Sequence, residues 1–469
     1  MPQFFSQGSR IFKFIREAVV GDTHRDFTEE RMGRAIAMLA IPMVLEMMME
    51  SLFSVVDMFW VAHLGANSVA TIGFTEALLT LIYTVALGLS IATTATVARR
   101  VGEKDPRAAS ETAAQAILLG AGVALVIGVS GAVFAPQLLA LMGASPEVIA
   151  TGTGYARAIF GGSGTVMLLF LINAVFRGAG DASLAMRVLW MANLINIVLN
   201  PLLIFGIGPF PRLGVTGSGI GTTIGRGCGV VLQLWMLTGG ISRVVVHTRE
   251  FRWNPRLMWT LLHLSLGGML QYFVGTSSWI LLVRMTAPFG SVVIAGYTIM
   301  LRIIMFALLP SWGMACAAAT LVGQNLGAKK PDRAENAVWR TGFYNMILLG
   351  MVAVMFVTLA PQLVRIFTND DAVAHVASNA LRIISAGYVF YAWGMVAIQA
   401  FNGAGDTVTP TMINLFCFWA CQLPIAWWLA FHTQMKSNGI FAAIAISQSL
   451  IAVIGMLAFR RGKWKLKKV

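Results

Sequence analysis

Apolar runs long enough to cross a bilayer recur in this chain from residue 35 to residue 460. A run of about 20 apolar residues spans the hydrocarbon as a helix, where every backbone N–H and C=O must be satisfied within the segment. Twelve such segments are expected, at 35–62, 67–97, 109–141, 147–175, 182–208, 214–239, 256–287, 292–325, 333–366, 372–402, 408–432 and 438–460. With 57% hydrophobic and 12% charged residues among 469, too little polar surface exists to cover a water-soluble body. The chain therefore reads as an all-α integral membrane protein. A soluble enzyme and a disordered chain are excluded. The net charge of +14 belongs to one membrane face and not to a nucleic-acid surface.

The basic residues fix the topology. Arg10, Lys13, Arg16, Arg25, Arg31 and Arg34 precede the first segment, and Arg99, Arg100, Lys104 and Arg107 surround the second loop. Arg177 marks the fourth loop, Arg243, Arg249, Arg252 and Arg256 the sixth, and Lys329, Lys330 and Arg333 the eighth. The tail carries Arg460, Arg461, Lys463, Lys465, Lys467 and Lys468, whereas the alternate loops offer only Arg212, Arg365 and Lys436. This alternation requires an even number of spans and places both termini in the cytoplasm of a multi-pass inner (plasma) membrane protein. Residues 3–20 mix aromatic and aliphatic positions with Arg10, Lys13 and Arg16, as in a short helix on the membrane surface; a solvated arm is the alternative. Cys228, Cys316, Cys417 and Cys421 all lie in apolar stretches and read as packing residues.

An internal repeat divides the chain. Gly65 falls on Gly290, Gly102 on Gly327, Pro106 on Pro331 and Phe176-Arg-Gly-Ala-Gly-Asp181 on Phe401-Asn-Gly-Ala-Gly-Asp406, all at one offset of 225. Two six-helix lobes with the same orientation follow, related by a pseudo-two-fold axis along the membrane normal, with a cavity between them. The divisions are an N-terminal arm (1–34), an N-lobe (35–240), a linker (241–255), a C-lobe (256–460) and a basic tail (461–469). In each Gly-Ala-Gly-Asp, glycine is expected to end one helix and Asp181 or Asp406 to cap the next.

Polar residues inside the spans need a reason, because a carboxylate in hydrocarbon costs at least about 2.5–3.5 kcal/mol. Glu46, Glu50 and Asp57 fall within about 40° of arc on the first helix and span about 16 Å of its axis. Such a stripe suits either proton exchange against a cation or hydrogen bonding to neighbouring helices. Asn193, Asn196 and Asn200 share a face of the fifth helix, and Pro201 frees the carbonyl of Ile197. At the repeat offset Glu46 maps to Gln271, Glu50 to Gly275 and Asp57 to Leu282, so the acidic stripe has no copy in the C-lobe. Among the buried arginines, Arg302 lies too deep to snorkel and is expected to have a hydrogen-bonded partner, as a structural strut.

The segments "IPMVLEMMMESLFSVVDMFWVAHLG", "FRGAGD", "NIVLNP" and "LRIIMFALLPSWGMACAAATLVGQNLGA" resemble the multidrug and toxic compound extrusion (MATE) family over roughly 35–460. The lack of C-lobe carboxylates at depth resembles its DinF-like branch, typified by DNA-damage-inducible transporters, more than the NorM-like one. The resemblance implies alternating access and export of small organic cations in antiport with H⁺ or Na⁺, by a monomer with no other cofactor. It also implies an ion-coupling set of Asp57, Asn173, Asn196, Asn200 and Thr222; the acidic stripe itself offers Glu46 and Glu50 as a candidate proton relay, with structural hydrogen bonds to neighbouring helices as the alternative. Some relatives carry an aspartate at the position of Asn200. A Na⁺ site at Asp57 and Asn196 would then have one anionic ligand, which favours H⁺. Met49, Phe53, Asn193, Gln271, Tyr272 and Gln399 are the candidate cavity residues, suited by soft and aromatic surfaces to organic cations. The alternative within the superfamily is a flippase for a lipid-linked saccharide, which needs several inward-pointing arginines. No HExxH, nucleophile elbow or Gly-Lys phosphate loop points to an enzyme, and no metal-ligand cluster is present.

Overall fold

A computed structural model describes residues 13–21 and 25–467, and the described residues are almost wholly helical. In chain order the N-lobe helices are α1 (Met32–Ala62), α2 (Ala66–Gly102), α3 (Pro106–Val133), α4 (Pro146–Ala179), α5 (Ala182–Phe205) and α6 (Val215–Thr238). The C-lobe has α7 (Pro255–Thr286), α8 (Ser291–Gly327), α9 (Pro331–Arg365), α10 (Asp371–Ser385 and Tyr388–Gly403), α11 (Val408–Phe431) and α12 (Ser437–Arg460). Ten of these are long and apolar enough to span on their own. The two parts of α10 bend by 61° and would make an eleventh span. The twelfth expected span, α6, is as long as α5 but does not reach that apolarity, because glycines and Arg226 dilute it.

Local chemistry explains the boundaries. Asp105-Pro106, Ser145-Pro146 and Asn254-Pro255 start α3, α4 and α7, each with a side chain accepting a free amide of the first turn and proline pre-set at the first helical position. Within α11 the stretch Leu415–Gln422 is π-helical, immediately before Pro424, whose missing amide breaks the regular ladder.

The repeat is written into the backbone. Gly65 and Gly290 open α2 and α8 with φ 93° and 96°. Lys104 and Lys329 follow those helices in the left-handed region, both at φ 58°. Gly180 and Gly405 end α4 and α10 at φ 91° and 82°.

The two aspartates that follow these glycines differ from expectation in one case. Asp406 does cap, accepting from the Thr409 amide at 3.3 Å and hydroxyl at 2.7 Å. Asp181 does not cap α5. It accepts instead from the Ser242 hydroxyl (2.7 Å) and the Arg243 amide (2.8 Å), tying the interlobe linker to the α4–α5 turn. Burial pushes the Asp181 carboxyl up from its ordinary pKa, against these two donors and the Arg243 charge.

The first and last described segments meet at one end of the bundle, called here the basic end. Lys330 bonds the Thr28 carbonyl (3.2 Å), the Arg99 guanidinium reaches the Lys467 carbonyl, and Lys465 pairs with Glu335 at 2.6 Å. Residues 13–20 form a short helix at this end, with Ala18 buried against α1; residues 3–12 of the expected surface helix lie outside the described residues. The lobes touch through small residues in the basic half. Gly102 abuts Gln324, Gly327 abuts Arg99, and Gly88 faces Gly268 so closely that a Cβ on either would come within 2.9 Å of backbone. Gln324 and Thr320 of α8 also donate to the carbonyls of Gly178 and Arg177, at 2.9 and 3.0 Å. Larger residues at these crossings would force the lobes apart. No cysteine is bridged.

Candidate ion-coupling site

The polar faces of α1, α4, α5 and α6 meet inside the N-lobe in three tiers. The sequence spacing dictates them: Glu46, Glu50 and Asp57 descend one face of α1, Asn193, Asn196 and Asn200 one face of α5, and Ser218, Thr222 and Arg226 recur every fourth residue on α6.

At the tier nearest the basic end, Glu46 is 1% exposed. Its Oε1 accepts from Arg177 Nη1 and from Asn173 Nδ2, both at 3.1 Å. Gln233 of α6 donates to Asn173 at 2.6 Å and to the Leu169 carbonyl at 3.2 Å. The middle tier holds Glu50, which accepts from Asn193 at 3.1 Å and faces Arg226 at 3.7 Å. The Arg226 guanidinium lies 5.8 Å from the Phe53 ring and 5.9 Å from the Tyr83 ring, a cation–π seat for a buried charge. Asn196 donates to Thr222 at 2.8 Å on the same pair of helices.

The third tier is Asp57. Its Oδ1 accepts from Asn200 Nδ2 and, at 2.9 Å, from the Ser218 hydroxyl. Its Oδ2 has no partner among the described residues, and the side chain remains partly exposed. Glu76 of α2 is exposed and lies within electrostatic range of both Asp57 and Arg302 of the opposite lobe. Three buried amide oxygens, Asn196 Oδ1, Asn200 Oδ1 and Gln233 Oε1, together with Glu46 Oε2, have no donor among the described residues. The N-lobe interior is thus richer in acceptors than in donors.

The sequence-predicted set is therefore divided. Asp57 and Asn200 are brought together, and Asn196 and Thr222 bond each other one turn away. Asn173 is a correction: it stands beside Glu46, at the far end of the stripe from Asp57, because α4 approaches α1 only near the basic end. A single cation site built from Asp57, Asn173, Asn196 and Thr222 is not assembled. Ser218, Arg177, Gln233 and Glu76 were missed. The four-residue spacing of Ser218 from Thr222 and Arg226 was the signal for the first. Arg302, expected to be paired, is exposed and makes no hydrogen bond or ion pair among the described residues.

The cavity residues divide too. A 40 Å³ cavity at the lobe interface is walled by Met47, Thr94 and Arg177 on one side and Tyr272, Cys316 and Gln399 on the other. Tyr272 packs edge-on against Trp312 at 6.2 Å. Phe53 and Asn193 are instead engaged inside the N-lobe with Arg226 and Glu50, and Met49 is partly exposed on α1. Gln271 is buried in a C-lobe amide cluster, exchanging hydrogen bonds with Asn402 at 3.0 and 3.2 Å.

A family model for MatE matches residues 42–202 and 269–428. The chain is 24% identical to the probable multidrug resistance protein YoeA of Bacillus subtilis, over 93% of this chain and 95% of that protein. It is 24% identical to the probable multidrug resistance protein NorM of Thermotoga maritima, over 92% and 93% of the two chains. Among solved structures, the outward-facing conformation of a multidrug resistance MATE family transporter of the MOP superfamily matches with a TM-score of 0.87 at 25% identity, over 94% of this chain and 98% of that one. A MOP superfamily transporter from Pyrococcus furiosus, described as having a binding pocket of reversed polarity, matches with a TM-score of 0.88 at 24% identity, over the same shares.

Proposed function

The chain belongs to the MatE family of multidrug efflux transporters, and from that premise we propose that it exports organic cations in exchange for protons, with Asp57 as the coupling carboxyl. One observation carries the reading. Of the three carboxylates on α1, Glu46 has Arg177 and Glu50 has Arg226, whereas Asp57 is held only by a neutral amide and a hydroxyl. It is therefore the one carboxylate of the stripe without a direct ion pair among the described residues, and the Arg226 charge reaches it only at longer range. A hydroxyl such as Ser218 can accept as well as donate, so the site tolerates both protonation states. The Oδ2 atom, which has no partner among the described residues, is the one left to take the proton.

Deprotonated, Asp57 makes the N-lobe wall negative and attracts a cation. Protonated, it removes that attraction and releases the cargo. Coupling then requires only that the two lobe arrangements differ in their affinity for proton and cation. Sodium is the weaker alternative. Asp57 would be its sole anionic ligand, with only neutral amide and hydroxyl oxygens to complete the shell. The flippase reading needs several cavity arginines free to grip phosphate; Arg177 and Arg226 are paired with carboxylates, which leaves Arg302 as the free one facing Glu76 across the lobes. In this reading the basic end, where the lobes are joined, faces the cytoplasm. The protein acts as a monomer in the plasma membrane.

The test is transport of a fluorescent organic cation into liposomes under an imposed pH gradient, and separately under a Na⁺ gradient. The pH gradient alone should drive flux, and Asp57→Asn should lower it at least about tenfold, in keeping with loss of a group needed in each cycle. Flux driven only by Na⁺, or an unchanged Asp57→Asn variant, would overturn the assignment.

A further inference from the structure

A groove of 1330 Å³ runs between the first part of α1 and the first part of α9 at the basic end, well above the roughly 300–1,000 Å³ of a small-molecule pocket. We propose that it is a binding site for one anionic phospholipid of the leaflet at that end.

The groove has two chemically distinct parts. Its mouth carries Arg31 and Arg34 from the start of α1, and Arg333 and Arg340 from α9, against the single acid Glu30. Its deeper wall is apolar, formed by Ala40, Ile41, Val44 and Leu45 of α1 with Leu348 of α9 and Met314 of α8. On α9 the lining positions Arg333, Asn336, Arg340, Tyr344 and Leu348 recur every three or four residues, so one stripe passes from charged through amphipathic to aliphatic. A phosphodiester with acyl chains has that same order of chemistry. The neighbouring Phe343 and Ile347 are exposed, so this face of α9 turns toward hydrocarbon and the groove opens sideways into the bilayer.

Depth supports the match. α9 has 35 residues, about 52 Å, against about 30 Å of hydrocarbon, which leaves about 11 Å of helix beyond each face if it is centred. Arg340 lies nine residues into α9, about 14 Å along its axis and so about 3 Å inside the hydrocarbon edge, from where its long side chain extends back toward the lipid phosphates. Two of the four arginines are already engaged. Arg333 donates to the carbonyls of Phe27 and Glu30, and Arg34 pairs with Glu17 at 2.7 Å. The side chains of Arg31 and Arg340 have no hydrogen-bond or ion-pair partner among the described residues, and both are exposed. Their guanidiniums flank the groove from opposite helices, α1 and α9. Basic clefts between helices at this level hold anionic headgroups by the attraction of their arginines. The site is independent of the coupling chemistry at Asp57.

The experiment counts bound lipid by native mass spectrometry on the full-length protein in neutral detergent, titrated with dioleoyl phosphatidylglycerol or with dioleoyl phosphatidylcholine. One phosphatidylglycerol should be retained in preference to phosphatidylcholine. The double variant Arg31→Gln/Arg340→Gln should weaken that retention about 10- to 30-fold. Ala37→Trp should weaken it comparably, since it fills the groove and leaves every charge in place. Equal retention of the two lipids would overturn the proposal, as would unchanged retention in either variant. Displacement of the lipid by equimolar inorganic phosphate would also overturn it, since the acyl chains would then contribute nothing.

Discussion

At equivalent positions the two lobes carry opposite chemistry on the same backbone. Glu46 and Arg177 form a buried ion pair at 3.1 Å in the N-lobe; their repeat partners, Gln271 and Asn402, form a neutral amide pair at 3.0 Å in the C-lobe. Asp57 is answered by Leu282, Arg226 by Ile451 and Asn200 by Ile425. Yet the glycines that open α2 and α8 share φ within a few degrees, and the lysines that follow those helices share it too. The fold is therefore carried by turn and crossing residues, which both copies keep. Titratable chemistry is carried by side chains that only one copy has. The carboxylates at these positions belong to one lobe, and the other answers them with amides and aliphatic side chains.

The ion pair at Glu46 and Arg177 gives the largest expected effect. Arg177→Leu leaves a fully buried carboxylate without its cation and should cost about 3–5 kcal/mol of stability, read as lost thermal resistance in detergent. Writing the C-lobe pair into the N-lobe, as Glu46→Gln/Arg177→Asn, should recover most of that loss, because no charge is then buried. If the single variant is as stable as the double, the pair contributes nothing and the comparison fails at its first step. The reverse experiment is next in size. Gln271→Glu places an unpaired carboxylate beside Asn402 and should cost about 3 kcal/mol, relieved by adding Asn402→Arg.

Much of this architecture was legible in the sequence. Eleven of the twelve helices lie within a few residues of their expected places, because apolar length and Pro or Gly punctuation are local signals; the third, expected to reach residue 141, ends at Val133 and a separate short helix Ala135–Leu141 follows. The repeat offset located both crossing glycines, Gly102 and Gly327. The grouping of polar residues was less legible. Glu46, Glu50 and Asp57 share a face, but which neighbour meets which carboxylate depends on where α4 and α6 cross α1, and a single chain's spacing does not contain that. Asn173 was accordingly assigned to the wrong carboxylate. Asp181 was read as a local cap for the same reason, since its true partners, Ser242 and Arg243, are a linker away.

A smaller effect separates the coupling tier from its surroundings. Ser218→Ala removes a 2.9 Å hydrogen bond to Asp57 and should cost about 1–2 kcal/mol. Its signature is a displaced pH dependence of cation flux with the maximal rate largely kept, whereas mere loosening of α6 would lower the rate at every pH. Ser218→Thr, which keeps the hydroxyl, should restore the profile.

The smallest effect tests the half of the comparison in which the lobes agree. Lys104 and Lys329 both sit at φ 58°, a conformation that costs a residue with a Cβ about 1–2 kcal/mol and glycine nothing. Replacing either by glycine removes that cost and adds about 0.5–1 kcal/mol of unfolded-state entropy, for a net gain of about 0.5–1 kcal/mol. The backbones are alike, so the steric gain should be alike. The neighbours are not alike, because Lys104 pairs with Asp26 at 3.3 Å, while Lys329 has no ion pair among the described residues. Lys329→Gly should therefore stabilise slightly more than Lys104→Gly, by the few tenths of a kcal/mol that an exposed ion pair is worth. That gap should close in high salt, which screens the pair and leaves the backbone term untouched. A gap that persists in salt would mean that the two turns differ in backbone energy, and that the repeat is less symmetric than its dihedral angles imply.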